Sequence, residues 1–502
     1  MAASTESGSA GAHKMGLIAC TSYVVGNIIG SGIFITAGDV ASQSGSVGLT
    51  LVLWLACAAL SFLGALVYVE LATSIIEPGA DYAYAMHIGW KAMAFTFMIV
   101  SVLITFPASA AVQSTTFGNY LKKFFVEILG AEDSNPGGLD PIVIGLAVLL
   151  LVITTAINFY ALDKFAARFQ VLVTICKMGA IVLIVGIGLW YLIVRGRTEN
   201  FNNIFEGSKW GVGSLTMGIY GGLWSYAGWD ILNYGTPEIH KPRRTMPLSL
   251  LLGLAVVCIA YLLINTSFFV ALSLEEVKNS TAIGSDFAQA TLGGGLAKVI
   301  PIMISILVMG TLNSNIFCGS RILHAAAREG QLPAFLSGIN PDSGSPRPAI
   351  LLQTLISIVM CVVPTDKLVN AVTFVMWAQK AVTAAALLWI RYKGVAVESG
   401  AIRVPIVLTW LLLISSIALV VIPFVEQTEI TLFGCGVIFL AFVVYFLAIR
   451  FELCGCNGFY KRISDVVSSI AKRVLCVEMD LKPPASDPQE REELNSVENE
   501  KM

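Results

Sequence analysis

The sequence Val25-Gly26-Asn27-Ile28-Ile29-Gly30-Ser31-Gly32-Ile33-Phe34 lies inside the first long apolar run of the chain, from Met15 to about Ala41. A helix in lipid must satisfy its own backbone hydrogen bonds, because hydrocarbon offers no partners. Two glycines around a serine lower the helix propensity and expose the backbone. Irregular backbone at membrane depth is tolerated only where protein buries it or where it lines a wet cavity. We therefore predict a helix that is broken in the middle of the membrane.

A second glycine-rich interruption, Gly221-Gly222-Leu223-Trp224-Ser225-Tyr226-Ala227-Gly228-Trp229, occurs in a later apolar run. One such stretch by itself is equally compatible with a small-residue face for close helix packing. Two glycine-broken segments at matching places in two halves of a membrane protein are typical of a transporter substrate site. The pair of interruptions therefore favours a transporter.

The composition is that of a membrane protein. Of the 502 residues, 56% are hydrophobic and 13% are charged, whereas about 25% of a soluble domain is charged. Apolar runs of roughly 20 residues recur along the chain, so we predict an all-α polytopic membrane protein. Neither a GxxxxGK[ST] loop nor a GxGxxG motif is present, and the four histidines show no metal spacing. We expect no enzyme activity, no cofactor, no metal and no nucleic-acid partner.

Residues 15–450 are predicted to form a domain of twelve transmembrane helices. The approximate limits of spans 1 to 12 are 15–42, 47–75, 92–122, 139–160, 165–194, 211–235, 247–272, 296–326, 347–364, 367–391, 403–425 and 429–450. Residues 1–14 and 482–502 have compositions typical of disordered segments. Residues 451–481 contain a basic amphipathic stretch, which we expect to lie on the inner leaflet.

The lysines and arginines predict the orientation. With the N-terminus inside, 21 of the 31 fall in the inner loops and the C-terminal segment, and 8 fall outside. Because positive residues concentrate on the cytoplasmic side, we expect a multi-pass protein of the plasma membrane with both termini cytosolic. No basic region precedes a short apolar core at the N-terminus, so we expect no cleavable signal. The predicted outer loop after span 7 carries a glycosylation pattern, Asn279-Ser280-Thr281.

The broken helices indicate the class of ligand. Free N–H groups near Ser31, Gly32 and Ile33 can bind a carboxylate, and free carbonyls near Asn27 and Ile28 can bind an ammonium group. A second break from Trp224 to Gly228 adds another set of such groups. Together they suit a zwitterion, and therefore an α-amino acid. Gly30-Ser31-Gly32 contains no charged side chain, which favours substrates with neutral side chains.

Two lysines, Lys177 and Lys380, are left within the predicted spans. Charges inside spans are functional hypotheses by default. Lys177 in span 5 needs acceptors, which the carbonyls of a broken helix can supply; the alternative is a side chain that extends to the inner surface. For Lys380 in span 10 the sequence identifies no partner.

Three further side chains near the breaks or the inner surface are assigned roles. We expect Asp230 to cap the second half of span 6, with contact to water or to a cationic group as alternatives. Glu70 is expected at the membrane interface. Trp224, next to the second break, is our candidate for a gate over the substrate, whereas Tyr226 and Trp229 are expected to be structural.

Several motifs resemble those of the amino acid–polyamine–organocation transporters, and most closely the L-type light subunits of heteromeric amino acid transporters. The resemblance covers about residues 15 to 475. The stretches that carry it are Ile28-Ile29-Gly30-Ser31-Gly32-Ile33-Phe34, Glu77-Pro78-Gly79-Ala80-Asp81-Tyr82-Ala83-Tyr84, Trp224-Ser225-Tyr226-Ala227-Gly228-Trp229-Asp230, Gly319-Ser320-Arg321 and Ala327-Arg328-Glu329-Gly330-Gln331-Leu332-Pro333. The resemblance implies a five-plus-five inverted repeat with unwound helices 1 and 6, and sodium-independent exchange of neutral amino acids. It also implies that Lys177 replaces a sodium ion and that Trp224 is the aromatic gate.

The sequence departs from the family pattern in two ways. The family's heavy chain is joined through a cysteine between spans 3 and 4, but the loop Phe117 to Pro141 contains no cysteine. A disulfide-linked heavy chain is therefore disfavoured, and a non-covalent glycoprotein partner remains open. At the second break, Ala227 and Asp230 stand where the family usually has glycine and asparagine.

We expect an alternating-access exchanger for neutral L-amino acids, with large or aromatic ones preferred. Its site would comprise Asn27, Ile28, Gly30, Ser31, Gly32, Ile33, Trp224, Ala227 and Gly228. Two alternatives remain open at this point. The first is a proton-coupled amino acid symporter in which Lys177 titrates. The second is an amino acid sensor that has a transporter fold and signals through its cytosolic tail.

Overall fold

The computed structural model describes residues 15–77, 79–129, 140–160, 163–293, 296–328, 330–450 and 458–481. Regular structure in these ranges is helical apart from two short strands, β1 (Gly338–Ile339) and β2 (Glu478–Met479), which pair antiparallel, and one isolated bridge between Met15 and Ile239. The disordered segments expected at residues 1–14 and 482–502 lie outside the described residues.

The first half of the helical domain corresponds to spans 1 to 5. Its helices are α1 (Leu17–Ile28), α2 (Gly32–Ser44), α3 (Val47–Ser74), α4 (Asp81–His87), α5 (Lys91–Val100), which continues through a π-helical turn (Ser101–Thr105) into α6 (Phe106–Leu129), α7 (Pro141–Phe159) and α8 (Asp163–Ile193). The π turn joins α5 and α6 into one long third span.

The second half corresponds to spans 6 to 10. Its elements are α9 (Val212–Ser225), a 3₁₀ helix (Trp229–Glu238), α10 (Pro242–Ala271), α11 (Leu274–Asn279), α12 (Ile283–Thr291), α13 (Val299–Arg328), α14 (Arg347–Met360) and α15 (Thr365–Lys393). The chain ends with α16 (Ile406–Val421), α17 (Pro423–Glu426), α18 (Thr428–Val444), a second π-helical segment (Tyr445–Arg450) and α19 (Gly458–Leu475). Shorter 3₁₀ turns occupy Glu199–Phe201, Leu296–Lys298 and Ala334–Ser337.

The two halves repeat one order of elements. Each begins with a broken span, continues with an unbroken second span (α3 or α10), and places short helices before its third span (α4, or α11 and α12). The third, fourth and fifth spans follow as α5–α6, α7 and α8 in the first half and as α13, α14 and α15 in the second. Because five crossings are an odd number, the second half enters the membrane from the opposite side and the repeat is inverted.

By length and composition, the described chain has eight helices that can cross a membrane, or nine when the bent pair α1 and α2 counts as one span. Of the remaining three predicted spans, two are shorter apolar helices, α14 and Thr431–Leu447. The third is α9 with its 3₁₀ continuation. The prediction of an all-α polytopic membrane protein with broken spans 1 and 6 is confirmed. Span 9 is shorter than predicted, because α14 ends at Met360 rather than near residue 364.

The broken spans lie at the centre of the bundle. Helix α1 packs on α10, and α2 packs on α9, so that each half of span 1 contacts the other repeat. An aromatic cluster of Trp54, Tyr226 and Tyr261 fills the space beside them, with ring centroids 5.5 Å apart for Trp54 and Tyr261 and 5.0 Å apart for Tyr226 and Tyr261. All three side chains are fully buried. This packing fixes the two breaks relative to each other.

The C-terminal segment docks on the loop between α13 and α14. Strand β2 pairs with β1, and the Asp480 N–H donates to the Ser337 carbonyl at 3.1 Å. The Arg347 side chain donates to the Leu475 carbonyl at 2.9 Å, at the end of α19. Val466, Ile470 and Val474 of α19 stay exposed. A helix that exposes such residues fits the predicted contact with the inner leaflet, which remains a prediction.

Candidate substrate site

The first break separates α1 from α2 by three residues. Ile29 follows α1 in an extended conformation, and α2 begins at Gly32 after Ser31. The two helices are bent by 52° at this point. The first N–H groups of a helix and its last carbonyls have no partner within the helix. The break therefore presents donors from the start of α2 and acceptors from the end of α1.

The second break spans residues 226–228, between α9 and the 3₁₀ helix. Gly228 has a φ of +97°, a conformation that a side chain disfavours. A Cβ atom on Gly228 would also lie 2.3 Å from Asn27 Nδ2. Two independent constraints, backbone conformation and space, thus require glycine here.

Direct contacts hold the two breaks together. Asn27 Nδ2 donates to the Gly228 carbonyl at 2.9 Å. The Thr36 and Ser225 hydroxyls lie 2.8 Å apart. A Cβ on Gly32 would lie 2.8 Å from Ser225 Cα, so the start of α2 touches the end of α9 backbone to backbone. Gly32 permits this approach because it has no side chain.

Tyr261 of α10 joins both breaks through one hydroxyl group. Its Oη lies 3.0 Å from the Ile28 carbonyl and 2.9 Å from the Ser225 carbonyl. These carbonyls end α1 and α9, respectively, and a buried carbonyl without a partner is costly. The sequence analysis missed Tyr261, because a single tyrosine inside an apolar run gives no signal of such a role.

Lys177 reaches the first break from α8. Its Nζ donates to the Gly26 carbonyl at 2.7 Å, and the residue is buried, with 8% of its surface exposed. Gly26 lies in the last turn of α1, where carbonyls lack partners within the helix. The lysine thus places a positive charge at the carbonyl end of the broken helix.

The structure places all nine predicted substrate-binding residues in the two breaks, in the last helical turn before them or in the first turn of α2. Asn27 is exposed, whereas Ile28, Gly30, Ser31 and Ile33 are buried. The half-buried residues are Gly32, Trp224, Ala227 and Gly228. Trp224 lies in the last turn of α9 rather than in the break, and it packs against a cluster that includes Leu312 and Ile316 of α13.

The structure corrects the predicted role of Asp230 and identifies partners for Lys380 and Glu70. Asp230 does not cap the 3₁₀ helix; its carboxylate is hydrogen-bonded to Lys380 of α15, which is therefore the partner that the sequence did not identify. Glu70 is covered by protein, because only 3% of its surface is exposed and its carboxylate accepts from Arg391; its place at the membrane interface stays a prediction. Both partners are on span 10, and no local pattern predicts contacts over such sequence distances.

No group of three or more His, Cys, Asp or Glu side chains suited to a metal ion occurs among the residues that the structure describes. The described cysteines are free, while Cys454 and Cys456 lie outside the described residues. The polar groups of the two breaks are mostly backbone N–H and C=O groups. Such groups are able to bind and orient a zwitterion without chemical reaction.

Two broken membrane helices whose breaks meet inside an inverted repeat define a transporter of the broken-helix class. Comparison with known proteins identifies the family within that class. The model of the amino acid permease family matches residues 15–449. The chain therefore belongs to the amino acid permease family, on the L-type branch of the amino acid–polyamine–organocation transporters.

Curated relatives match over most of the chain. Amino acid transporter protein 6 of Caenorhabditis elegans is 36% identical over 94% of this chain and 89% of its own length. The human b(0,+)-type amino acid transporter 1 is 30% identical over 95% of this chain and 94% of its own length. The human cystine/glutamate transporter is 34% identical over 76% of this chain and 74% of its own length. The protein is thus a multi-pass membrane transporter of amino acids and not an enzyme.

Proposed function

We propose that the protein is a sodium-independent exchanger of neutral L-amino acids that works by alternating access. The observation that carries this proposal is the hydrogen bond from Lys177 Nζ to the Gly26 carbonyl. The carbonyl end of a broken helix is where transporters of this class coordinate a driving cation. A lysine that is part of the protein brings its own ammonium group to this place, so no sodium ion has to be bound and released.

The substrate would bind between the two breaks. Its carboxylate would accept from the N–H groups of Ser31, Gly32 and Ile33 at the start of α2, where the helix dipole favours an anion. Its ammonium group would donate to carbonyls near Asn27, Ile28 and Trp224. The Ile28 carbonyl already accepts from Tyr261, but a carbonyl oxygen has a second lone pair for the substrate.

We propose Trp224 as the gate. It is half-buried at the end of α9 and packs against a cluster that includes residues of α13, so a movement of α9 would change this contact. An aromatic ring beside the break also offers an apolar wall to the substrate side chain, which supports a preference for large or aromatic amino acids. The relatives' names describe different substrates, so this preference rests on Trp224 and on the uncharged first break.

The remaining parts of the proposal concern location and partner. We propose the plasma membrane, with both termini in the cytosol. The cysteine-free stretch 117–141 supports a non-covalent glycoprotein partner over a disulfide-linked heavy chain.

The test is exchange by the chain expressed alone in cells of low background. Cells loaded with labelled phenylalanine or leucine should release label only when an amino acid is present outside, and equally in sodium and choline buffers. Release without outside amino acid would contradict exchange. Uptake with an inward current that grows as pH falls would indicate the proton-coupled symporter, and binding without flux would indicate the sensor.

A further inference from the structure

Three charged side chains meet inside the bundle near the second break. Lys380 of α15 is hydrogen-bonded to Asp230 of the 3₁₀ helix, and its Nζ lies 3.6 Å from Asp81 Oδ2 of α4. The exposed fractions of the three side chains are 8% for Lys380, 15% for Asp230 and 5% for Asp81. Two carboxylates thus share one ammonium group away from bulk water.

Neutral groups complete the surroundings of Asp81. The Tyr68 and Thr383 hydroxyls donate to its Oδ1, and Gln379 Nε2 donates to its Oδ2 at 2.9 Å. For Asp230, by contrast, the described contacts provide one partner, Lys380. Asp81 therefore keeps three hydrogen bonds without Lys380, whereas Asp230 depends on it.

Aromatic rings enclose the ammonium group. Lys380 Nζ lies 4.4 Å from the centroid of the Tyr68 ring and 4.9 Å from that of the Trp229 ring. These distances permit a cation–π attraction, which is stronger where water is excluded. The Trp229 ring itself fits against Gly64 of α3, where a Cβ would lie 2.7 Å from it. The site is therefore built for a cation at this place.

The charges connect the substrate site to the surrounding helices. Asp230 follows Gly228 by two residues, and the Gly228 carbonyl accepts from Asn27 of the first break. Lys380 therefore fixes the beginning of the second half of span 6 to α15 and α4. A shift of that half would displace the break with it.

We propose that Lys380 is a positioning residue, the counter-ion that allows Asp81 and Asp230 to lie side by side and thereby holds the second half of span 6 in its working position. This inference rests on the proposed transport function. Asp230 stands where the family pattern usually has asparagine, so the lysine compensates a charge that the usual pattern lacks. An unpaired charge buried in a bundle is strongly destabilising, and this cost is the basis of the test.

The test compares the wild type with Lys380→Gln, Asp230→Asn and the double variant. Lys380→Gln leaves two carboxylates without a counter-ion. We expect the exchange rate per transporter at the surface to fall about tenfold or more. Asp230→Asn retains the Lys380–Asp81 pair, and the asparagine Oδ1 can still accept from Lys380. The second half of span 6 therefore stays attached, and we expect a rate within about threefold of the wild type. The double variant removes one charge of each sign, and its exchange rate should return to about that of Asp230→Asn.

The pH profile separates positioning by charge from simple packing. In Lys380→Gln, one proton shared by the two carboxylates restores the charge balance, so exchange should rise as pH falls from about 7.5 to about 5.5. Neither the wild type nor the double variant should show this rise. Other titratable or charged groups near the site or on the helices around it are identical in all four proteins. They include Tyr68, Glu70, Tyr82, Tyr84, His87, Tyr234, Cys318, Asp366, Lys367, Arg391, Tyr392, Lys393, Glu429 and Cys435.

Stability of the purified proteins provides a readout that does not depend on transport. Thermal unfolding should occur at a lower temperature for Lys380→Gln than for the double variant. The proposal would be overturned if the double variant matched Lys380→Gln in its low exchange rate, its low unfolding temperature or its low surface expression. It would also be overturned if Lys380→Gln behaved like the wild type. Should the wild type itself fail to exchange, the unfolding order still tests Lys380, and only the proposed function would be rejected.

Discussion

At the scale of single residues, the candidate site depends on chemically simple groups at fixed places. Lys177 contributes a charge, and Gly32 contributes the absence of a side chain. Both residues were identified in the sequence because they are anomalous there: a lysine and a glycine pair interrupt otherwise apolar spans. A charged side chain or an irregular backbone is tolerated inside a membrane span only where other parts of the protein supply its hydrogen-bond partners.

Lys177→Met should abolish exchange while surface expression is retained. The variant keeps the length of the side chain but removes the charge that the Gly26 carbonyl accepts from. Lys209→Met is the matched control, because Lys209 Nζ also donates to a backbone carbonyl, that of Ser42, at 2.9 Å, outside the two breaks. Exchange and surface biotinylation are measured together. Normal uptake by Lys177→Met would refute its role.

Gly32→Ala should lower both stability and exchange. The added Cβ would lie 2.8 Å from Ser225 Cα, which is backbone and cannot rotate away. The expected loss of stability is about 1–3 kcal/mol, as for other overpacked sites. Gly186→Ala in α8 is the control, because no atom lies within 4 Å of the added Cβ. Equal unfolding temperatures of the two variants would contradict the close approach of α2 and α9.

At the scale of elements, the breaks work as a pair. Each broken span leaves carbonyls that its own helix cannot satisfy, and the single hydroxyl of Tyr261 in α10 lies within hydrogen-bond distance of one carbonyl from each break, so that the two share its proton. The other repeat also supports the two halves of span 1, because α1 packs on α10 and α2 packs on α9. The break persists because other elements satisfy it.

Tyr261→Phe tests this pairing. The variant retains the ring that packs on Trp54 and Tyr226 but removes the hydroxyl shared by the two carbonyls. We expect a loss of about 1–3 kcal/mol, the cost of leaving buried acceptors unsatisfied, together with slower exchange. Tyr191→Phe is the control, because it removes a hydrogen bond to the Thr291 carbonyl away from the breaks. A larger loss of exchange in the control would argue against the pairing.

At the scale of the whole molecule, orientation and the inverted repeat decide which loops face outside. The repeat follows from the order of elements, and the orientation was predicted from the lysines and arginines. Asn279, at the end of α11, is exposed. It therefore offers a direct test of the predicted topology.

Asn279 should be glycosylated in cells. Digestion with an amidase specific for N-linked glycans should increase the mobility of the wild type on a gel, and Asn279→Gln should lack this shift. Asn265-Thr266-Ser267 carries the same pattern, but Asn265 is buried in α10, so Asn265→Gln should keep the shift. A shift that persists in Asn279→Gln and disappears in Asn265→Gln would contradict the topology.

The sequence by itself determined the class of fold and the positions of the two breaks that form the candidate site. Apolar runs of spanning length, two glycine-broken segments and a charged residue at Lys177 are visible locally, because the lipid imposes the same requirements on every span. The interaction of Lys177 with an end of a broken helix was also anticipated from this requirement.

Only the tertiary structure decided which groups meet. Lys177 and Gly26 are 151 residues apart, and Lys380 and Asp230 are 150 apart. The sequence analysis assigned Asp230 to a cap, because capping is a local interaction that a sequence pattern can suggest. In the folded bundle the carboxylate is instead next to a buried lysine. The strength of such a pairing depends on burial and distance, both of which arise when the two halves pack together.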